Sequence, residues 1–316
     1  MMKKIACLGN ITYDFSVSKK GFIDENTRNN FTDVMACPGG PSANAAYVLS
    51  KFGNNVHLYG KIGKDEAGSF VYNQMLKENI DLTHVTVKDN YRTPYSFIIN
   101  NTSNSSRTIC TVRDKNDFNN PTIESIDYET DYDYILIDGK YTEESIKLME
   151  KNSSAKYIID AGRVSDDMLL LCNFADYIIC SEDFANEVLG RKIGNYTTEN
   201  VSIYKELKAY FPFAEDLVIT IGGRGYICEK DNLVLIMPAY KSEYKTVDTT
   251  GAGDIFHGAF VHALANGYSF HDSLEFANVT ASLSTTKRGG RYSCPELEDV
   301  EKILESQNIK KLIKRK

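Results

Sequence analysis

The sequence predicts an α/β fold with a mostly parallel central sheet. Short apolar runs typical of buried strands alternate with segments of helical periodicity. The strand-like runs are Ile5–Leu8, Val56–Tyr59, Tyr134–Ile137, Tyr157–Ile159, Tyr177–Cys180 and Leu217–Ile221. This alternation indicates βαβ units, whose right-handed crossovers place helices on both faces of a sheet. Ligands of such sheets bind at the carboxyl edge of the strands, so we expect the functional site there.

Two stretches, 12–35 and 93–113, depart from this alternation. In the second, Tyr95–Ile99 and Thr108–Val112 flank a polar turn, which is typical of an antiparallel hairpin. A short accessory sheet of this kind can act as a lid that excludes water from a site. The pattern alone fits ordinary edge strands as well. We expect residues 1–316 to form a single domain with the lid strands inserted in the α/β core.

The composition narrows the class of protein. The chain has 316 residues, 25% of them charged, and a formal net charge of −7, which does not fit the broad basic surface of a nucleic-acid-binding protein. The first apolar run, Ile5–Leu8, is too short for a signal peptide or a membrane span. We therefore expect a cytoplasmic protein with no nucleic-acid or membrane partner. The seven cysteines have no zinc or redox spacing, and the five histidines form no i, i+4 pair, so we predict reduced thiols and no transition-metal site.

The segment 247–254, followed by an apolar helical run, carries the most informative chemistry. Gly251, Ala252 and Gly253 would let an anion approach backbone N–H groups at a helix N-terminus, where the helix dipole is positive. Asp254 lies in the same turn and could accept the proton of an attacking hydroxyl while those N–H groups stabilise a transferring phosphoryl group. A plain turn with Asp254 as a helix cap is the alternative.

A second glycine-rich turn, at Gly39 and Gly40, precedes a helix that carries Asn44 in its first turns. Exposed backbone and a side-chain amide with two donors and an acceptor suit a polyol. Asp14, in the loop after the first strand, could accept two sugar hydroxyls, although a lone loop aspartate is more often a turn residue. A third turn, 220–226, could contact a nucleotide, but glycine turns join strands in many folds.

Together these motifs resemble the two signatures of the PfkB, or ribokinase-like, carbohydrate kinase family. The run Gly39–Asn44, with Gly53 and Gly63, is similar to the first signature, and Asp248–Phe260 is similar to the second. The likeness covers almost the whole chain. It implies a three-layer α/β/α ribokinase-like fold with a small β-sheet lid, and ATP-dependent phosphorylation of a hydroxyl of a sugar or sugar-like molecule. It also implies ATP and Mg²⁺ at the carboxyl edge of the sheet, and K⁺ as an activating monovalent cation.

Carried over by position, the resemblance makes Asp254 the general base and assigns the other site residues to four groups. The anion hole comprises Gly251, Ala252 and Gly253. The residues expected to bind the acceptor sugar are Thr12, Asp14, Gly39, Gly40 and Asn44. Those expected to bind ATP are Thr220, Gly222, Gly225 and, near the adenine, Asn278. Those expected to surround the monovalent cation, mostly through backbone carbonyls, are Asp248, Thr250, Ser284, Lys287, Gly289 and Ser293.

The sequence departs from the family where many members carry Asn-x-x-Glu after the fifth core strand. Here the aligned run is Ser181–Phe184, so only Glu182 or Asp183 could act there. This run, together with Ile137–Gly139, Asp160–Arg163 and Arg288–Arg291, is more similar to the ketohexokinase and sulfofructose kinase branch than to ribokinase, which makes a ketose a candidate acceptor. In the lid hairpin, Arg107 could contact an anionic sugar.

The sequence leaves open two alternative functions and also suggests an oligomeric state. A nucleoside kinase of the same fold could stack a base on Tyr13, Tyr95 or Phe97. A non-catalytic sugar- or nucleotide-binding paralogue is the other alternative, because fold does not imply function. We expect a homodimer through the lid, since an exposed apolar face of a small sheet is costly to leave in water.

Overall fold

The computed structural model describes residues 2–117, 121–124, 126, 128–194 and 198–313. In chain order the strands are β1 (Lys4–Leu8), β2 (Thr12–Lys19), β3 (Asp33–Gly39), β4 (Asn55–Gly63), β5 (Val85–Lys88), β6 (Tyr95–Asn101), β7 (Ser106–Val112), β8 (Tyr134–Ile137), β9 (Lys156–Ala161), β10 (Tyr177–Ser181), β11 (Asp216–Thr220), β12 (Tyr226–Lys230) and β13 (Leu233–Met237). The helices are α1 (Pro41–Lys51), α2 (Glu66–Lys77), α3 (Thr142–Lys151), α4 (Asp166–Cys172), α5 (Glu182–Leu189), α6 (Thr198–Tyr210), α7 (Ala252–Ala265), α8 (Phe270–Ser284) and α9 (Leu297–Ile313).

The core is a nine-stranded sheet in the order β13-β12-β11-β10-β9-β8-β1-β4-β5. From β5 to β11 the neighbouring strands are parallel. The predicted α/β class is therefore confirmed. The sequence analysis did not foresee β5 or the antiparallel hairpin of β12 and β13, which closes one edge of the sheet.

Side chains of successive strand residues enter two separate apolar cores. In β1, Ile5 and Cys7 belong to one core, whereas Ala6 and Leu8 belong to the other. The first core contains residues of α1, α7 and α8, and the second contains residues of α3 to α6. Period-two alternation on a sheet with helices on both faces explains this division. The result is the three-layer α/β/α arrangement. No helix among the described residues combines the length and apolar character needed to cross a bilayer.

A second sheet, in the order β3-β2-β6-β7, stands beside the core. The hairpin of β6 and β7 is antiparallel, whereas β2 pairs with β6 in parallel. The sheet extends beyond residue 35, because β3 continues to Gly39 and so leads directly into α1. The sequence analysis placed Asp14 in the loop after the first strand, but in the structure it lies within β2.

Hydrogen bonds connect the tip of this lid to the segment that precedes α7. Ser105 Oγ donates to the Thr246 carbonyl oxygen at 3.1 Å, and Arg107 Nη1 donates to Thr249 Oγ1 at 2.7 Å. The lid therefore rests on the loop that leads to the predicted anion hole.

Candidate active site

Asp254 lies in the first turn of α7, after Gly251, whose φ of 73° glycine adopts without the strain of a side chain. Asn44 Nδ2 donates to Asp254 Oδ2 at 2.6 Å. Burial raises the pKa of Asp254 to about 6, and the nearby carboxylate of Asp160 acts in the same direction, while the bond from Asn44 opposes both. A carboxylate that titrates near neutral pH is suited to accept a proton from a hydroxyl.

The backbone of the same turn provides donors for an anion. The first i to i−4 bond of α7 runs from Ile255 N to the Gly251 carbonyl oxygen at 2.9 Å, so the N–H groups of Gly253 and Asp254 precede the helical ladder. The Ala252 N–H already donates to a carbonyl oxygen of the preceding turn, at 3.3 Å. A side chain added at Gly253 would meet no heavy atom within 4 Å. The turn is therefore open where an anion would approach it.

Asn44 has an unused acceptor beside Asp254. The residue is only 6% exposed, and its Oδ1 has no hydrogen-bond partner among the described residues. A buried carbonyl oxygen without a donor is costly unless a ligand supplies one. The amide nitrogen of Asn44 therefore binds Asp254, while its Oδ1 can accept a hydrogen bond from a hydroxyl of a ligand.

Asp14 faces the same pocket from the lid. Thr12 Oγ1 donates to Asp14 Oδ1 at 2.6 Å. A Cβ atom at Gly39 would lie 2.0 Å from Asp14 Oδ2, and one at Gly40 would lie 2.2 Å from a backbone oxygen, so both glycines make room for close packing. Burial raises the pKa of Asp14, whereas the Thr12 hydroxyl and the Arg291 guanidinium lower it. The five residues predicted to bind the acceptor are thus close in space.

One pocket connects the lid to the turns of the core. It is lined by Asp14, Asn44, Thr250, Gly290 and Arg291, together with lid side chains such as Ile98. Arg291, which the sequence analysis did not single out as a site residue, is only 1% exposed. Its partners lie in α1 and at the end of α2, so the local sequence does not reveal that it lines the pocket.

A histidine and a second carboxylate lie behind Asp254. His257 Nδ1 is 2.7 Å from the Gly253 carbonyl oxygen and 3.5 Å from Asp160 Oδ2, and its Nε2 is 3.2 Å from a carbonyl oxygen of β10. Burial raises the pKa of Asp160 and His257 lowers it. The sequence analysis did not recognise this pair, which joins the end of β9 to the first turn of α7. His257 thereby holds the carbonyl group of Gly253, in the predicted anion hole, in place.

The segments predicted to bind a monovalent cation are adjacent. Asp248 is buried, and its two carboxylate oxygens accept from the N–H groups of Thr250, at 2.9 Å, and Gly289, at 3.5 Å. Ser293 Oγ donates to the Gly290 carbonyl oxygen at 2.7 Å, and the Ser284 hydroxyl bonds within α8. Lys287 N donates to the Ser284 carbonyl oxygen at 3.3 Å, in the same loop.

The predicted nucleotide residues lie at the carboxyl edge of β11 and beyond. Thr220 ends β11, and Gly222 begins the short turn that follows it. Gly225 has a φ of 107° and lies so close to the strand β13 that a Cβ atom would be 1.9 Å from a backbone oxygen. Asn278 Nδ2 donates to the Pro238 carbonyl oxygen at 3.0 Å, so this amide holds the segment after β13.

Two of the residues that stand where many family members carry Asn-x-x-Glu, Ser181 and Glu182, have structural roles in this chain. Ser181 caps α5 by accepting from Phe184 N at 3.1 Å. Glu182 forms an ion pair and hydrogen bond with Arg224, in the turn after β11. Asp183 is exposed. Glu182 is therefore engaged within the protein, which the sequence alone did not show.

The lid residues singled out for alternative substrates do not face the pocket. Strand alternation places Asp14 and Ile98 on the pocket side, and Tyr13, Tyr95 and Phe97 on the opposite face. None of these three rings is in the pocket lining, so the structure does not support their base-stacking role. Arg107 bonds to the loop before the anion turn and is absent from the pocket lining.

Among the described residues, no group of three or more His, Cys, Asp or Glu side chains is placed to hold a metal ion.

Comparison with known proteins identifies relatives over nearly the full length. The family of pfkB family carbohydrate kinases matches residues 2–297. A ribokinase of Lactococcus lactis is 27% identical over 320 residues, covering 98% of this chain and 99% of the relative. A ketohexokinase of Mus musculus is 24% identical over 290 residues, covering 87% and 93%. The structure of an Arabidopsis thaliana ribokinase complexed with ribose and ATP superposes with a TM-score of 0.79 at 21% identity, covering 96% and 99%.

Proposed function

Because the chain belongs to the pfkB family of carbohydrate kinases, we propose that it transfers the γ-phosphoryl group of ATP to a sugar hydroxyl, with Asp254 as general base. The observation that carries this proposal is the contact between Asp254 and Asn44. It joins a carboxylate whose pKa is about 6 to an amide whose Oδ1 faces an acceptor pocket without a donor. A binding protein without chemistry would have no need of this base beside an open anion turn.

In the proposed reaction, the acceptor lies between the lid and α1. Asp14 and Asn44 accept hydrogen bonds from sugar hydroxyls and fix the orientation of the sugar. Thr12, Gly39 and Gly40 hold Asp14 and the turn in place. Asp254 takes the proton of the attacking hydroxyl as the bond from the sugar oxygen to the γ-phosphorus forms. The bond from that phosphorus to the β,γ-bridging oxygen breaks, and ADP leaves.

The turn Gly251–Gly253 would receive the negative charge that the phosphoryl group carries. Backbone donors at a helix N-terminus are already oriented and need no reorganisation during the reaction. Arg107, bonded to the preceding loop, adds positive charge that lowers the pKa of Asp254. The lid that carries Arg107 would exclude water, which would otherwise compete as the acceptor.

ATP would lie along the edge formed by Thr220, Gly222 and Gly225, with the adenine toward Asn278. When bound, Mg²⁺ supplies charge neutralisation on the phosphates. The loops around Asp248, Thr250, Ser284, Lys287, Gly289 and Ser293 would bind K⁺ through backbone carbonyls. Their adjacency to the anion turn supports this assignment, because a cation there orients the turn.

The protein would act in the cytoplasm, where ATP is available, and as a homodimer through its lid. The outer lid face carries the stacked rings of Phe15 and Phe97, whose centroids are 5.8 Å apart. Beside them Val34 is 61% exposed and Phe97 is 37% exposed. Covering these side chains with a second copy would remove apolar surface from water. Light scattering that gives a monomer would reject the dimer.

The proposed function is tested by ATP consumption with a panel of pentoses, ketohexoses, inositol and nucleosides, in the presence of Mg²⁺ and K⁺. We expect one sugar to stimulate ADP formation strongly, and Asp254→Asn to abolish that stimulation. A nucleoside as the best acceptor, or no stimulation by any acceptor, would reject the proposal.

A further inference from the structure

Arg291 carries a buried charge that the structure satisfies only in part. Its Nη2 donates to the Ala43 carbonyl oxygen in α1, and its guanidinium lies over the Tyr47 ring, 5.0 Å from the centroid. Nη1 is 3.7 Å from Glu78 Oε2, which is too long for a hydrogen bond. Neither Nε nor Nη1 has a hydrogen-bond partner among the described residues. Unpaired donors on a fully buried cation are costly unless a ligand occupies them.

The residue that carries these donors is part of the lining of the acceptor pocket. Arg291 lines it together with Asp14 and Asn44, and the guanidinium is close enough to lower the pKa of Asp14. The pocket lining therefore includes both a cation with unused donors and a carboxylate that can accept hydrogen bonds. A sugar offers the matching pair, because each hydroxyl or ring oxygen accepts while each hydroxyl hydrogen donates.

The charge of the pocket opposes an anionic acceptor. The charged side chains among the described residues of its lining are Asp14, Asp248 and Arg291. Behind the pocket, Glu78 forms an ion pair with Arg291, and Tyr292 Oη donates to the other oxygen of Glu78 at 3.0 Å. A carboxylate or phosphate on the acceptor would meet Asp14, while Arg291, the cation among the described lining residues, is already paired with Glu78. Like charges at close range in a partly desolvated site are strongly unfavourable.

We propose that Arg291 donates a hydrogen bond to an oxygen of a neutral, unphosphorylated sugar, and that the pocket discriminates against sugar acids and sugar phosphates. This inference rests on the proposed function and specifies its substrate class. Arg291 thus donates a hydrogen bond to an acceptor oxygen. It does not favour an anionic acceptor, because Glu78 balances the charge of Arg291.

The first test compares matched acceptors with the wild-type protein. D-ribose is paired with D-ribonate, and D-fructose with D-fructose 6-phosphate, under identical ATP, Mg²⁺ and K⁺. We expect kcat/KM for the neutral member of the better pair to exceed that of its anionic partner by at least about tenfold. An anionic member that is the better acceptor would overturn the inference and leave the kinase assignment intact. No turnover of any acceptor would instead reject the proposed function.

The second test removes the donors. Arg291→Gln should raise KM for the best neutral acceptor by at least about tenfold, while KM for ATP changes by less than about twofold. Lys147→Gln, which removes an exposed positive charge on α3, is the matched control and should change neither constant. An unchanged acceptor KM in a folded Arg291→Gln protein would overturn the role of Arg291.

A third variant keeps the inference testable if Arg291→Gln does not fold. Glu78→Gln leaves Arg291 in place but removes the carboxylate that balances it, so the pocket gains positive charge. We expect the ratio of anionic to neutral kcat/KM to rise by at least about threefold. A ratio that stays constant or falls would contradict the charge argument.

Discussion

Asp254→Asn should make the protein more stable and less active at the same time. The pKa of Asp254 is about 6 in the folded protein, against an ordinary value of 3.8. At about 1.4 kcal/mol for each pKa unit, the difference corresponds to about 3 kcal/mol of unfavourable charge burial. Because the side chain is only partly buried, water screens part of this cost, and we expect a gain of about 1–3 kcal/mol in the free energy of unfolding.

The sign of the pH dependence follows from the raised pKa. Above about pH 6 the wild-type carboxylate is charged in both folded and unfolded states, so the full cost of burying it is present. As the pH falls through 6, the folded protein takes up a proton and the cost declines, until it vanishes near pH 3.8. The stability gain of the asparagine variant should therefore be present at about pH 7.5 and mostly absent at about pH 4.5.

Urea unfolding at these two pH values measures the gain, and a coupled ADP assay measures the activity. Turnover should fall at least about 100-fold, because the variant lacks the base. Asp89→Asn, which alters an exposed carboxylate paired with Lys64, is the control and should leave both quantities unchanged. The reasoning is refuted if Asp254→Asn is less stable than the wild-type protein at about pH 7.5, or if it retains normal turnover.

Three further outcomes follow from the same geometry. The rate of the wild-type enzyme, measured as kcat/KM against pH, should decline below about pH 6 as Asp254 becomes protonated, and a flat profile down to about pH 5 would contradict this role. In initial-rate assays, Gly39→Ala should raise the KM for the acceptor at least about tenfold and leave the KM for ATP unchanged, because the added Cβ would displace Asp14. Equal effects on the KM values of both substrates would point to general misfolding. Replacing K⁺ by choline should lower kcat several-fold, and Asp248→Asn should remove that response, whereas a rate indifferent to K⁺ would reject the cation site.

The sequence was most informative where local pattern decides structure. Alternating apolar runs located six core strands because a strand buried on both faces needs no distant partner to be recognised. Glycine turns before α1 and α7 were equally readable, because close backbone approach leaves few alternatives to glycine. These two turns meet in the structure through the hydrogen bond from Asn44 to Asp254.

What the sequence could not supply depends on contacts between distant segments. Arg291 pairs with Glu78 in another element, and His257 meets Asp160 at the end of β9. Neither pair has a spacing that a motif could reveal. Similarly, the direction in which Tyr95 and Phe97 point depends on the register of β6 against β2, which the hydrophobic pattern of a short strand does not determine.

The central claim is tested most directly by following the phosphoryl group itself. The enzyme is incubated with its best neutral sugar and ATP whose γ-phosphoryl oxygens carry ¹⁸O, and the products are analysed by mass spectrometry. The account predicts ADP and a sugar monophosphate in equal amounts, with the label in the non-bridging oxygens and an unlabelled bridge from the sugar hydroxyl. Label released as inorganic phosphate, with the sugar unmodified, would contradict it.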